Sequence, residues 1–152
     1  YGLTTIAIRK DRRLVLVING LPSKKARSVE SERLLDWGFR EFNNYALFKA
    51  GESVTNAQVW MGDKGVVPLL IQKELTLTLP RKARRGMKVK VAMKEPVSAP
   101  INKGDVLATL KIEIPDRKIL EIPLVAGANV GQLGMFSRLG AAVKFVLWGE
   151  SD

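Results

Sequence analysis

The sequence predicts an α+β unit followed by an all-β sandwich and a C-terminal amphipathic helix, and three patterns carry that fold class. Residues 30–42 hold apolar side chains at helical spacing, the chain from about residue 50 alternates with period two, and residues 129–148 return to helical spacing. At 152 residues and 46% hydrophobic content there is enough apolar material for a core, which excludes a disordered polymer.

The first elements are two strands. Tyr1–Ala7 and Arg13–Gly20 are strand-like runs joined by a charged turn at Lys10-Asp11-Arg12. A helix is predicted after Pro22-Ser23. In its clearest part, Glu30 to Phe42, the residues Leu34, Leu35, Trp37, Gly38, Phe39, Phe42 and Tyr45 fall on one broad arc, with Glu30, Arg33, Asp36 and Arg40 outside it. The rings on that arc bury a large area, and a ribbon plus one helix is marginal alone. The partner surface is therefore expected from sequence beyond this chain. Tyr1 in place of Met, within a strand-like run, agrees with a protein that continues upstream.

Helical periodicity ends at Ala50-Gly51-Glu52. Beyond it Leu75, Leu77 and Leu79 alternate with threonines, and Met87, Val89, Val91 and Met93 alternate with Lys88 and Lys90. Val106 to Ile114 and Leu120 to Leu124 follow the same rule on either side of Pro115-Asp116-Arg117. Short, evenly spaced strands predict a sandwich. Arg81-Lys82-Ala83-Arg84-Arg85 reads as a basic turn between strands. In the last segment Leu133, Phe136, Leu139, Val143, Val146 and Leu147 share a face opposed by Ser137, Arg138 and Lys144. Those charges would lie in hydrocarbon if the segment spanned a bilayer, so a helix lying in the interface is predicted, with Phe145 and Trp148 at headgroup level. A helix packed on its own domain is the other reading of the pattern.

Lysine plus arginine number 25 against 15 acidic residues, for a net charge of +10, which points to anionic partners without choosing among nucleic acid, phospholipid and acidic polymer. The basic run has no interleaved aromatic residues to stack on bases, so nucleic acid is not the expected partner. With no histidine and no cysteine, a His-based triad, a thiolate metal site and a disulfide are all excluded. No cofactor is predicted. Lys94 is followed by Glu95 rather than the Met of a biotinyl hairpin.

Several landmarks occur in order along the chain: the strand pair, Lys25-Ala26-Arg27-Ser28-Val29-Glu30-Ser31, the Leu34-Leu35-Asp36-Trp37-Gly38-Phe39 helix, Val59-Trp60-Met61-Gly62-Asp63, Leu77-Thr78-Leu79-Pro80-Arg81 and Ser98 to Val106. Taken together they resemble the C-terminal portion of the low-molecular-mass penicillin-binding proteins, the serine D-alanyl-D-alanine carboxypeptidases. The resemblance implies three parts: residues 1–49 as the last strands and closing helix of a catalytic domain, 50–128 as a β-sandwich stalk, and 129–152 as a membrane anchor. It further implies Arg27 as the group that receives the terminal carboxylate of a peptidoglycan peptide, and Leu133, Phe136, Arg138, Leu139, Val143, Lys144, Val146, Leu147 and Trp148 as the surface for an anionic phospholipid membrane. The family's Ser-x-x-Lys, Ser-x-Asn and Lys-Thr-Gly elements are absent from these 152 residues, so the chain alone is expected to be inactive, and its foremost partner is an N-terminal catalytic fragment. The implied compartment is the periplasm. Rival readings are a basic β-domain for nucleic acid and a non-catalytic wall-binding module.

Overall fold

Alternation along the first two strands builds the ribbon that the sequence predicts. β1 (Leu3–Arg9) and β2 (Arg12–Ile18) pair antiparallel, with Ile6 opposite Val15 and Thr4 opposite Val17. Leu14, Leu16 and Ile18 are half-buried, while Ile6, Ile8, Val15 and Val17 point outward and stay 52–70% exposed. α1 (Lys24–Glu41) packs on the ribbon. It starts where Ser23, in extended conformation, accepts a hydrogen bond from the Ala26 N–H at 3.0 Å, which satisfies one of the otherwise unpaired first-turn donors. Gly38 permits close approach to the ribbon, since a Cβ there would stand 3.0 Å from Leu14 Cδ1.

The computed structural model describes residues 1–134 and divides into two units, Tyr1–Leu47 with Thr76–Met87, and Phe48–Leu75 with the chain from Lys88 onward. In the first unit β3 (Phe42–Phe48) pairs with β6 (Leu75–Pro80), and the single-turn helix α2 (Arg81–Arg85) follows. Two expectations change here. Tyr45 belongs to β3 rather than to the helical arc, because α1 ends at Glu41; Trp37 is 48% exposed and meets Phe42 edge-on at 5.3 Å. The basic run is a helical turn rather than an open turn, with Pro80 at its start, where a fixed φ and a missing N–H are tolerated.

The second unit is mostly β. Its six-stranded mixed sheet has the order β7-β9-β10-β5-β4-β8, from β4 (Ser53–Trp60), β5 (Val66–Ile71), β7 (Lys88–Met93), β8 (Val97–Ser98), β9 (Val106–Glu113) and β10 (Leu120–Ala126). Every pairing is antiparallel except β4 with β8. The period-two pattern turns Val67, Leu69 and Ile71 of β5 and Ala108, Leu110 and Ile112 of β9 into the core, where Leu124 and Val130 join them. Each fully buried Leu or Ile contributes about 1.5–3 kcal/mol. Two prolines lie in central strands. Pro123 falls before the stretch of β10 paired with β5, and Pro68 falls outside the stretch of β5 paired with β10, so neither removes a hydrogen bond from that ladder. On the outer face Lys90 Nζ sits 2.8 Å from Glu113, and this ammonium holds the Glu113 carboxyl below the usual carboxylate range against the opposing effect of partial desolvation.

The predicted helix from Asn129 is corrected over its first residues. Val130 forms an antiparallel bridge with Ile101, and Gln132 with Gly62. Positions 129–134 are thus non-helical, and the remaining part of the predicted helix lies outside the described residues.

Candidate functional site

Arg27 sits in the first turn of α1. Its N–H donates to Ser23 O at 3.0 Å, and its own carbonyl accepts from Ser31 Oγ at 2.6 Å. Ser31 is 94% removed from solvent, so the backbone of this turn is held from both sides. The residue as a whole is half-buried, and its guanidinium takes part in none of the hydrogen bonds or ion pairs among the described residues. Ahead of α1 in the chain, the end of β2 is fixed by Asn19 Oδ1, which accepts from Gly20 N–H at 2.8 Å, and by Leu21 N–H donating to Tyr1 O at 3.1 Å. Gly20 adopts φ +79 there, a left-handed conformation that glycine takes without strain. The resulting geometry is an arginine on a fixed helix start, with five planar donors to offer a carboxylate.

The residues implicated in membrane contact divide at Gly134. Leu133 is half-buried, and its N–H donates to Met61 O at 2.9 Å. It belongs to a clasp in the β-domain rather than to the face of a free helix. Phe136, Arg138, Leu139, Val143, Lys144, Val146, Leu147 and Trp148 lie outside the described residues. Among the described residues no helix is long and apolar enough to cross a membrane, and no group of three acidic residues has the proximity needed to hold a metal ion.

The clasp explains two of the sequence landmarks. Asp63 N–H donates to Gly131 O at 2.8 Å, and Asp63 Oδ1 accepts from Gly131 N–H at 2.9 Å. On the opposite side Ile101 and Val130 exchange a pair of backbone hydrogen bonds of 2.9 Å, and Lys103 N–H donates to Asn129 Oδ1 at 2.6 Å. The Val59–Asp63 and Ser98–Val106 landmarks therefore grip one strip of chain, residues 129–133. Gly62 is required by space: a Cβ at this position would stand 2.7 Å from both Val130 Cγ1 and Val59 Cγ1.

Arg12 is a residue whose role was not read from the sequence. It donates to Phe39 O and Asn43 Oδ1, each at 3.0 Å, at the C-terminal end of α1, so it closes carbonyls that the helix leaves unpaired. Its signal was an arginine in phase with Leu14, Leu16 and Ile18 on the inward face of β2.

The family description "Penicillin-binding protein 5, C-terminal domain" matches residues 42–132. The D-alanyl-D-alanine carboxypeptidase DacC of Escherichia coli is 34% identical over 151 residues, which is 97% of this chain and 38% of that protein. DacA of Haemophilus influenzae is 30% identical over 91% of this chain and 36% of its own length. The solved structure of penicillin-binding protein 5 from Haemophilus influenzae superposes with a TM-score of 0.68 at 29% identity, covering 87% of this chain and 39% of that one. The chain thus spans a little over a third of the length of these curated relatives. With a match that covers the β-domain and the clasp, the chain belongs to the penicillin-binding protein 5 C-terminal domain family, as a C-terminal portion of a low-molecular-mass penicillin-binding protein.

Proposed function

We propose that this chain is the C-terminal part of a D-Ala-D-Ala carboxypeptidase acting on peptidoglycan pentapeptides, and that it holds the catalytic domain at the outer face of the cytoplasmic membrane. The observation that carries this reading is the outward face of the β1–β2 ribbon. Ile6, Ile8, Val15 and Val17 form an apolar surface with α1 on the other side of the sheet, and such a face calls for a covering layer. In this reading the cover is the upstream catalytic fragment, which is consistent with relatives more than twice as long as the chain. Residues 1–49 complete that domain, 50–128 form the stalk, and 129–152 lead to the membrane in the periplasm. Arg27 receives the substrate carboxylate. The segment from Met135 supplies the contact with anionic phospholipid.

A fluorescent penicillin tests the division of labour. The full-length protein is expected to be labelled covalently and to release D-Ala from a pentapeptide, whereas the 152-residue chain does neither, because it lacks the nucleophile, its lysine and the Lys-Thr-Gly strand. Stoichiometric labelling of the 152-residue chain overturns the proposal.

A further inference from the structure

Within the first unit a cleft of about 370 Å³ lies at the β1–β2 turn and the C-terminal end of α1. Arg9, Lys10, Arg12, Arg40 and Arg81 line it, with Asp36 as its one carboxylate, so the lining carries five positive charges against one negative. Two of the five are matched by carboxylates: Arg9 pairs with Asp36, and Arg40 with Glu41 at 3.0 Å. Arg12 is held by neutral acceptors, the Phe39 carbonyl and Asn43 Oδ1, so its position is fixed while its charge is not cancelled. The guanidinium carbons of Arg9 and Arg12 lie over the ring of Phe39, which is 8% exposed, at 4.9 and 5.4 Å from its centroid, within cation–π range. Lys10 and Arg81 are exposed at the rim and make no ion pair among the described residues. Lys10 has φ +44, a conformation uncommon for a side-chain-bearing residue.

We propose that this cleft binds a phosphate-bearing ligand. A surplus of three unmatched cations, Lys10, Arg12 and Arg81, with the Arg12 fork immobilised by its own hydrogen bonds, suits a multiply charged oxyanion better than a single carboxylate, because arginine pairs with phosphate oxygens bidentately and the neighbouring cations add to the attraction. The ligand class is a phosphate ester or diphosphate, borne either by a soluble molecule or by a phospholipid headgroup. The site does not depend on Arg27 or on the membrane segment.

The test uses the full chain and sodium pyrophosphate, titrated calorimetrically at low ionic strength, where a Kd on the order of 1 mM or tighter is expected. The double substitution Lys10→Glu/Arg81→Glu removes the two rim cations without touching the capping hydrogen bonds of Arg12, and is expected to weaken binding at least about tenfold. Lys73→Glu/Lys118→Glu makes the same change in net charge at exposed residues that are not part of the cleft lining and is expected to leave affinity within about twofold. Co-sedimentation with phosphatidylglycerol vesicles separates the sources. If only pyrophosphate binding falls in the rim variant, the ligand is soluble; if vesicle binding falls with it, the ligand is a headgroup. Affinity unchanged in the rim variant, an equal loss in the control variant, or no detectable pyrophosphate binding by the unmodified chain at about 10 mM overturns the proposal.

Discussion

Arg27 has a backbone secured by Ser23 and Ser31 and a guanidinium with no intramolecular partner among the described residues, so removing its side chain takes little from the fold. In the full-length enzyme Arg27→Ala is expected to lower kcat/KM on a pentapeptide by about ten- to a hundredfold, the loss of one charge-assisted pair of about 1.5–3 kcal/mol. Thermal denaturation should be unchanged. An unaltered kcat/KM with normal stability would return Arg27 to the role of a surface residue. Gly62 presents the opposite case, structural and without substrate. Its missing Cβ makes room for Val130 and Val59, so Gly62→Ala is expected to cost about 1–3 kcal/mol by overpacking, read as a lower denaturant midpoint at constant slope. Arg27 and Gly62 were both legible as landmarks, but only the structure supplies the reason for Gly62. The partner of its neighbour Asp63 lies 68 residues away in sequence, a separation that no local pattern encodes.

Among elements, legibility followed the range of the interaction that forms them. β9 buries one face, and its alternation was visible because a one-residue slip would turn that face to water, whereas β5, which buries Val67, Leu69 and Ile71, was not read from the sequence. α2 was read as a turn, since five residues hold too little periodicity to distinguish a helical turn from an open one. The reading of Asn129 to Leu133 as helix failed for a different reason. Those residues have helical spacing in sequence, but their backbone groups are taken by Met61, Asp63, Lys64 and Ile101, and such long-range bridges override local preference. This moves the point at which the anchor can be cut away. A chain ending at Gly134 retains the clasp and is expected to keep the stability of the intact chain while losing attachment to anionic vesicles. A chain ending at Ala128 loses Val130, which is 2% exposed, and should be less stable by about 1.5–3 kcal/mol from that side chain alone. Vesicle attachment by the Gly134-terminated chain equal to that of the intact one would refute the anchor.

For the whole molecule, the sequence predicts a partner surface beyond the chain and places it on the aromatic arc of α1. The prediction rested on Trp37, Phe39 and Phe42 needing a partner surface; in the structure Phe39 is buried within the unit, whereas Trp37 meets Phe42 edge-on and stays 48% exposed. A larger uncovered surface is the outer face of the ribbon, where Thr4, Ile6 and Ile8 alternate with inward residues of β1 and Val15 and Val17 do so in β2. Since that face is exposed in this chain and covered in the proposed full-length enzyme, one substitution should behave differently in the two. Val15 is 60% exposed here, so Val15→Lys is expected to change the stability of the 152-residue chain by less than about 0.5 kcal/mol, as a surface substitution does. In the full-length protein the same lysine would be buried against an apolar layer without a counter-charge, costing about 3 kcal/mol and lowering the yield of penicillin-labelled enzyme at elevated temperature. Equal effects in the two proteins would mean that the upstream fragment does not cover this face, and the ribbon would then have to find its second layer in another molecule.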